Sequence, residues 1–557
     1  MPKLTYPEIT LDALLRRAAE RDPHRAAVTT GPAATAATNT AGATTLTFAE
    51  LDRQADRIAH RIRATATAAP TATATVGSGS SGSGAVGVAH TLDSVFPAVY
   101  YGTARSGRTL VLVNPLVGEA ALRHVFTKAG IEIAFVPTRI AELLTKIGDR
   151  LPLLRTVVVT DAADGVVPGS TEPLEHFIGR APEGPAPAPD AGLDDIACIQ
   201  FTTGTTGRPK GVRLTHRNLV ANAVQIALAH RLRDDSVTLN HLPLYHVMHL
   251  NSAVYAGASQ VLCQDPDPVA SLALAARTGA THYYGLPARL HRLAGDDRLD
   301  RLDQEQEGIP AGPRLTAVLS GGTALAPAAA RRISAALRVP VVQGYGLAEL
   351  SPLAHNQRLD ARPEPGAVGP PVPGTECRIV SLGSRRPVDI WSTGEVQIRG
   401  PQLMAGYLDD HGPAPIDADG WFTTGDVGYL DEDGGLHLVD RLGDVFKYDN
   451  ELVSPSAVER ILTEDPRIAE CLVVDWPDPV HGALAWAGIV LREPPPGPPA
   501  LLDALDSVVE RANSRLGHGE QIRRVEALDA IPRTPNGKPA RRELRQQLRA
   551  RAALEAA

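Results

Sequence analysis

The stretch FTTGTTGRPKGV, residues Phe201–Val212, decides the fold, because it gathers glycines, hydroxyl side chains and a lysine in one short loop. Backbone N–H groups and hydroxyls in such a loop are suited to binding phosphate. The common mononucleotide-binding loop has a serine or threonine directly after its lysine, whereas here Gly211 follows Lys210. A plain surface turn between the strand-like run ACIQF (197–201) and the helix-like run THRNLVANAVQIALAH (215–230) would explain the glycines. It would not explain the cluster of threonines, so a phosphate loop of another kind is expected.

The composition is that of a globular protein with several domain-sized parts. The chain has 557 residues, of which 43% are hydrophobic and 21% are charged, and its formal net charge is -8. A length of this order predicts about three or four domain-sized units. An acidic balance without a long basic face argues against nucleic acid as a partner.

The cysteines and the N-terminal sequence indicate a cytoplasmic protein. Cys198, Cys263, Cys377 and Cys471 are scattered singly, without the spacing of a metal site or a disulfide framework. The first residues, MPKLTYPEITLDALLRRAAERDP, carry charges throughout and do not resemble a secretory signal. No run approaches the roughly 18 apolar residues of a membrane span.

Short β-rich runs alternate with alanine-rich helical stretches over most of the chain. The clearest runs are TLVLV at 109–113, IAFV at 133–136, TVVVT at 156–160 and VPVVQGYG at 339–346. This alternation predicts α/β architecture with parallel sheets covered by helices. Residues 64–84, ATATAAPTATATVGSGSSGSG, are predicted to form a flexible surface insertion. The basic segment 540–557 is predicted to be a helix with a solvated face.

From about residue 394 the pattern changes to shorter strands joined by Asp-Gly turns, as in GEVQIRG and GYLDEDGGLHLVDRLGD. We therefore expect an N-terminal domain over residues 1–442 and a small α+β C-terminal domain over residues 443–557, with a hinge at about 441–444.

Companion motifs identify the loop. TTGTTGRPKG with LTHRNL resembles the phosphate loop of the adenylate-forming superfamily, which includes acyl-CoA synthetases, luciferases and peptide adenylation domains. The other motifs follow in the order of that family: LPLYH at 242–246, LSGGTAL at 319–325, QGYGLAE at 343–349, GWFTTGD at 420–426, VDRLGDVFKYDN at 439–450 and RTPNGKPAR at 533–541. The resemblance spans nearly the whole chain and is nearest in style to the acyl-CoA and aryl-CoA ligases.

The resemblance implies a reaction and a set of ligands. Such enzymes join a carboxylate to the α-phosphate of ATP, release pyrophosphate and usually transfer the acyl group to a thiol such as coenzyme A, with Mg²⁺ as the metal. It also implies a large α/β N-terminal part with a small β-barrel-like subdomain, followed by a mobile α+β cap.

Site residues are carried over from the matching motifs. The resemblance places the leaving phosphates against Thr202, Thr203, Gly204, Thr205, Thr206, Gly207 and Lys210, with Thr205 also counted as catalytic. It assigns adenine and ribose to Gly322, Thr323, Gln343, Tyr345, Asp426 and Arg441, and the metal to Glu349. It assigns the acyl substrate to Tyr245, His246, Gly321 and Gly344. Lys538 matches the lysine that bridges the carboxylate and the α-phosphate, and His246 matches a mobile histidine beside the acyl carbonyl. The hinge and the thiol path fall on Gly443, Lys447 and Asn450.

The chain departs from the family pattern at several positions. Ala348 replaces a threonine, which removes one hydroxyl contact to phosphate. Gly443 stands where a lysine or aspartate hinge is usual, Asn450 where a glycine lets the thiol arm pass, and Leu452 where glutamine is common. Two interpretations remain open. Either glycine bends easily and asparagine tolerates the backbone of the missing glycine, or the Asn450 side chain obstructs the thiol and impairs the second half-reaction, which another protein then completes.

Other functions and partners also remain open. The chain is alternatively a stand-alone enzyme that loads a carrier protein, or a catalytically silent scaffold, although retention of Lys210, Glu349, Asp426 and Lys538 argues against the latter. The candidate acyl pocket lies around 245–251, 284–286, Gly321 and 344–353, and its residues are mostly small or aliphatic. A bulky apolar or aromatic acid is expected, in natural product biosynthesis. A homodimer is an open alternative.

Overall fold

The structure is a computed structural model of the chain. It describes residues 4–31, 44–66, 84–162, 167–202, 209–241, 246–301, 314–364, 366–408, 416–449, 451–533 and 539–555. Most of the predicted insertion, residues 67–83, lies outside these ranges, and residues 64–66 belong to a helix.

The chain folds into two compact units. The larger unit comprises Met1–Cys377, Ile398–Phe422 and Asp433–Leu436. The smaller unit comprises Arg378–Gln397, Thr423–Glu432 and His437–Ala557. Because this division follows spatial contacts rather than chain order, the predicted domain boundary at residue 442 stays a prediction.

The helices of the described residues are α1 Asp12–Arg21, α2 Phe48–Ala66, α3 Val95–Arg105, α4 Glu119–Ala129, α5 Thr138–Ile147, α6 Leu174–Gly179, α7 His216–Ala229, α8 Val247–Ala256, α9 Pro268–Thr278, α10 Pro287–Ala294, α11 Pro327–Leu337, α12 Pro455–Leu462, α13 Pro498–Asn513 and α14 Arg541–Glu555. No helix in the described ranges has both the length and the apolar character of a membrane span.

The strands of the larger unit's sheets are β1 Ala26–Thr30, β2 Thr44–Thr47, β3 Ala85–Ala89, β4 Leu110–Val113, β5 Ile131–Val136, β6 Thr156–Val159, β7 Glu172–Pro173, β8 Ile196–Thr202, β9 Lys210–Thr215, β10 Val237–Asn240, β11 Ser259–Leu262, β12 His282–Gly285, β13 Ala317–Ser320, β14 Val341–Gly346 and β15 Leu353–Asn356. The later strands are β16 Ala367–Gly369, β17 Glu376–Val380, β18 Gly394–Arg399, β19 Phe422–Leu430, β20 Leu436–Arg441, β21 Phe446–Tyr448, β22 Glu451–Val453, β23 Ile468–Asp478, β24 Gly482–Leu491 and β25 Ile522–Ala527.

Two largely parallel sheets form the larger unit. One has the order β15-β14-β13-β12-β10-β11-β1-β2, in which the inner pairs are parallel and β15 and β2 are antiparallel. The other has the order β7-β6-β5-β3-β4-β8-β9, parallel except for β9. Buried apolar runs such as β4 and β5 explain this arrangement, because a parallel sheet is covered on both faces. The predicted α/β class with parallel sheets is confirmed.

The carboxyl ends of three neighbouring strands meet at one edge of the first sheet. Gly285 on β12 pairs in register with Ser320 on β13, which pairs with Gln343 on β14. Ligands of open α/β sheets bind outside such carboxyl ends. The motifs LSGGTAL and QGYGLAE begin at this edge, which places their loops side by side.

The smaller unit has its own sheet and core. Its C-terminal sheet has the order β22-β21-β24-β23, and β25 pairs parallel with β24. Val453, Val458 and Val473 lie in a buried cluster with residues of α13. The small α+β C-terminal domain expected from the sequence is confirmed.

The basic C-terminal segment forms the helix α14 with one solvated face, as expected, and its opposite face is buried. Leu544 and Leu548 are buried in a cluster with Trp486. Arg541 pairs with Glu459 at 2.7 Å, and Arg549 donates to Asp475 at 2.8 Å. The basic residues therefore anchor α14 through acidic partners that are distant in sequence.

Candidate active site

The phosphate-loop motif forms a hairpin rather than a direct strand-to-helix turn. β8 and β9 are antiparallel, and Thr202 pairs with Lys210 at the end of the strand pair next to the loop. Thr203, Gly204, Thr205, Thr206 and Gly207 lie outside the described residues. The hydroxyl of Thr202 and the ammonium of Lys210 therefore belong to the two strands that carry the loop.

The base of this loop is fixed by local contacts. The ring of His124 hydrogen-bonds to the Pro209 carbonyl through Nε2 at 3.1 Å. After β9, Thr215 caps α7 by accepting from the Asn218 N–H at 3.1 Å, while Thr215 N–H donates to the Asn218 side chain at 3.0 Å. This reciprocal cap ends β9 and starts α7.

Lys210 and Glu349 share one tyrosine. The Lys210 Nζ lies 4.7 Å from the ring centroid of Tyr407. The Tyr407 hydroxyl donates to Glu349 Oε1 at 2.8 Å. Tyr407 could not be identified from the sequence, because it lies 58 residues from Glu349 and far from Lys210, and no motif spacing connects them.

The glycines that follow β13 and the glycine within β14 have different structural reasons. Gly322 has a φ of +91°, in the left-handed region that favours glycine. A Cβ on Gly344 would lie 2.9 Å from Leu353 Cδ1 and 3.1 Å from Asn356 Oδ1. A Cβ on Gly321 would lie 3.6 Å from the Gly344 carbonyl oxygen, so the structure brings Gly321 and Gly344 together.

Two of the proposed adenine-binding residues, Gln343 and Tyr345, are held by contacts within the larger unit. Gln343 Oε1 accepts from the Leu325 N–H at 2.8 Å, which ties β14 to the loop that contains Thr323. Tyr345 is buried, and its ring centroid lies 5.9 Å from that of His355. Gly322 and Thr323 are exposed at the same strand edge.

His246 has a defined tautomer. It is the N-cap of α8, and its Nδ1 accepts from the Met248 N–H at 3.3 Å. In a neutral ring, Nε2 then carries the proton, an assignment made from this hydrogen bond. Burial lowers the pKa of His246 from 6.5 to about 4, so the ring is neutral at physiological pH. Its Nε2–H can donate to a carboxylate oxygen.

A second histidine stands one turn further along α8. His249 stacks on Tyr284, with ring centroids 4.0 Å apart and an interplanar angle of 22°, and its centroid lies 6.1 Å from that of His246. Tyr284 is near the carboxyl end of β12, and its hydroxyl hydrogen-bonds to His230 Nδ1 at 3.0 Å. His249 and Tyr284 fall within the ranges 245–251 and 284–286 that the sequence suggested for the acyl pocket. Tyr245 lies outside the described residues.

These histidines make stability sensitive to acid. Because the folded pKa of His246 lies near 4 and the ordinary value is 6.5, the unfolded chain binds the extra proton between these pH values. Stability from this residue is therefore complete above pH 6.5 and is lost as the pH falls toward 4. We expect the melting temperature of His246→Asn to fall less over this range than that of the wild type. Asparagine does not titrate and remains a good N-cap. Identical pH slopes in differential scanning calorimetry would contradict this expectation.

In the smaller unit, Asp426 and Arg441 form a close pair. The Arg441 Nε lies 2.6 Å from Asp426 Oδ1. Asp426 is 4% exposed, and its own N–H donates to Thr424 Oγ1 at 3.0 Å. The Arg441 side chain is 44% exposed. The arrangement places a carboxylate acceptor beside a guanidinium donor.

The turn after Arg441 is bound to α14. Arg545 donates through Nη1 to the Gly443 carbonyl at 2.5 Å and through Nη2 to the Asp444 carbonyl at 2.8 Å. A Cβ at Gly443 would meet no atom within 4 Å, so sterics do not explain this glycine. Lys447 is exposed on β21, whereas Asn450 and Lys538 lie outside the described residues.

Family models match most of the chain. The model described as AMP-binding enzyme matches residues 15–408, and the model of the AMP-binding enzyme C-terminal domain matches residues 457–538.

Characterised proteins of similar length are related to this chain. 4-Coumarate–CoA ligase 5 of Oryza sativa subsp. japonica is 30% identical over 474 residues, which cover 82% of this chain and 83% of the relative. Feruloyl-CoA synthase of Amycolatopsis sp is 29% identical over 513 residues, which cover 91% of this chain and 94% of the relative.

Solved structures share the fold. ATP-bound MatB from Rhodopseudomonas palustris has a TM-score of 0.82 at 24% identity, over 98% of this chain and 100% of the other. The anthranilate CoA ligase AuaEII in complex with anthranoyl-AMP has a TM-score of 0.80 at 21% identity, over 98% and 99%.

Proposed function

Because this chain belongs to the family of AMP-binding enzymes, we propose that it activates a carboxylic acid with ATP, releases pyrophosphate and passes the acyl group to a thiol. The observation that carries the proposal is that Tyr407 contacts both charged side chains. Its ring lies against the Lys210 ammonium, and its hydroxyl donates to the Glu349 carboxylate. A cation for phosphate and a carboxylate for a metal are thereby held close together, as a metal–triphosphate complex requires.

The residues fit Mg²⁺. Glu349 is half-buried, and one of its oxygens accepts from Tyr407. A carboxylate has about four acceptor positions, so this hydrogen bond leaves capacity for a metal. Mg²⁺ commonly takes one or two carboxylates together with substrate phosphates. Bound there, it supplies positive charge against the triphosphate.

In the first half-reaction, a carboxylate oxygen attacks the α-phosphorus, and the bond from this phosphorus to the bridging oxygen breaks. Pyrophosphate leaves with the electron pair. Thr202 and Lys210 bind the leaving phosphates, and Tyr345 packs on adenine. Asp426 accepts from the ribose hydroxyls, while Arg441 donates to them. The His246 Nε2–H donates to the carboxylate and orients it, and Lys538 supplies charge between the two anions.

In the second half-reaction, a thiolate sulfur attacks the acyl carbon, and AMP leaves. Coenzyme A is the thiol that we propose, since the two relatives described above are named for CoA ligation. A carrier-protein thiol is the alternative acceptor.

We propose an aromatic acid as the substrate. The relatives are named for 4-coumarate and ferulate, and one of the similar structures holds anthranoyl-AMP. In this chain, two stacked aromatic rings, those of His249 and Tyr284, lie near His246, with the His249 ring centroid 6.1 Å from that of His246. Pyrophosphate release measured with matched aromatic and aliphatic acids tests this choice. A clear preference for aliphatic acids would contradict it.

Asn450 is the position at which the second half-reaction is tested. β21 ends at Tyr448 and β22 begins at Glu451, and Asp449 between them has a φ of +48°. Two-residue hairpin loops with positive φ favour Asp-Gly, so Asn450→Gly should fold well.

If the asparagine side chain obstructs the thiol, its removal relieves an overpacking cost of about 1.4 kcal/mol and raises thioester formation about tenfold. Pyrophosphate exchange should stay within about twofold of the wild-type rate, since this half-reaction does not use the thiol path. The two rates should be measured side by side in the wild type and in Asn450→Gly. Equal turnover of both half-reactions in the wild type would exclude the impairment.

A further inference from the structure

The segment 404–408 joins the strand of Lys210 to the turn of Glu349. The Met404 N–H donates to the Glu349 carbonyl at 2.9 Å, and the Leu408 N–H donates to the Gly211 carbonyl at 2.7 Å. Tyr407 forms an antiparallel bridge with Val212. All of these residues belong to the larger unit, so the position of Tyr407 between Lys210 and Glu349 is fixed by the backbone.

The Tyr407 side chain uses two different groups. Its hydroxyl donates to Glu349 Oε1 at 2.8 Å, and its ring lies beneath the Lys210 ammonium at 4.7 Å. A hydrogen bond to a charged acceptor fixes the orientation of the carboxylate. A cation over an aromatic ring is held weakly at an exposed site, so a phosphate can replace the ring.

The arrangement also prevents a competing contact. Lysine and glutamate side chains placed this close attract each other, and a direct ion pair would occupy the carboxylate that the metal needs and the ammonium that the phosphates need. With the tyrosine between them, each side chain is oriented by its own contact with Tyr407 before the nucleotide binds. This is preorganisation, which reduces the ordering cost of binding.

We propose that Tyr407 is a positioning residue with two separable roles: its hydroxyl orients Glu349 toward the metal, and its ring holds Lys210 ready for the phosphates. The inference rests on the proposed function. The two roles can be separated because phenylalanine keeps the ring without the hydroxyl, whereas leucine removes both.

The full-length protein and the variants Tyr407→Phe and Tyr407→Leu should be compared in pyrophosphate exchange over a range of Mg²⁺ and ATP concentrations. We expect Tyr407→Phe to need about tenfold more Mg²⁺ for half-maximal rate, with KM for ATP nearly unchanged at saturating Mg²⁺. We expect Tyr407→Leu to share this defect and also to raise KM for ATP about fivefold.

Ligand-induced thermal shifts give a readout independent of turnover. ATP with Mg²⁺ should raise the melting temperature of the wild type more than ATP with a chelator does, and this difference should shrink in Tyr407→Phe. Tyr6→Phe is the matched control, because it removes a tyrosine hydroxyl that donates to the Pro373 carbonyl at 2.9 Å in the same unit. It should behave as the wild type does.

If Tyr407→Phe showed the same Mg²⁺ dependence and the same thermal shift as the wild type, the role of the hydroxyl would be overturned. Identical KM values for ATP in the phenylalanine and leucine variants would overturn the role of the ring. A wild-type protein with neither an ATP-induced thermal shift nor pyrophosphate exchange would instead overturn the proposed function, and the roles of Tyr407 with it.

Discussion

Replacement of Asp426 by asparagine is expected to lower kcat/KM for ATP about a hundredfold, the largest loss among the described residues. Asp426 is 4% exposed and lies 2.6 Å from the Arg441 Nε, so its carboxylate is fixed as an acceptor. Asparagine keeps the shape but removes the charge and turns one acceptor atom into a donor. Weakened hydrogen bonds from the ribose hydroxyls would together cost about 2.7 kcal/mol.

The matched control is Asp431→Asn. Asp431 is also buried, at 7% exposure, and accepts from His437 at 3.0 Å in the same unit, but it has no proposed contact with nucleotide. Both variants should lose some stability, whereas only Asp426→Asn should raise KM for ATP in pyrophosphate exchange. Equal KM values for the two variants would refute the ribose assignment.

Replacement of Lys538 by alanine is expected to slow adenylation about 10²- to 10³-fold. Two anions, the substrate carboxylate and the α-phosphate, must approach each other, and the loss of the cation between them raises the barrier. Lys538 lies outside the described residues, so this expectation rests on the motif RTPNGKPAR. Thioester formation from supplied acyl-adenylate should change little, because that step begins after pyrophosphate has left.

The comparison between half-reactions gives this prediction its specificity. Lys146→Ala removes the same charge from an exposed position on α5 and should leave both half-reactions unchanged. If Lys538→Ala slowed both half-reactions equally, the lysine would have a general binding or structural role instead.

Local patterns predicted most of the fold. The apolar runs at 109–113 and 133–136 became β4 and β5, and the helix-like run at 215–230 became α7. The strand β9 was not predicted. Its six residues bury Val212 and Leu214, but one glycine and two charged residues interrupt the alternation, and its pairing partner lies across the loop. Short strands of this kind are defined by their partner more than by their own sequence.

Long-range charge pairing could not be predicted. The sequence of α14 reads as a basic surface helix, yet Arg541 meets Glu459 across 82 positions of sequence. In the candidate site, too, contacts between residues far apart in the sequence could not be predicted. Motifs identified Lys210, Glu349 and Asp426 individually, but Tyr407 was found only from its contacts, because a single tyrosine outside any motif carries no spacing signal.

The central claim is that this protein forms acyl-adenylates. Acid-dependent exchange of labelled pyrophosphate into ATP, measured with Mg²⁺ over a broad panel of carboxylic acids, tests it most directly. We predict exchange with at least one aromatic acid and a kcat/KM for ATP about a hundredfold lower in Asp426→Asn. A folded protein that shows no exchange with any acid in the panel would contradict the claim and favour a catalytically silent binding role.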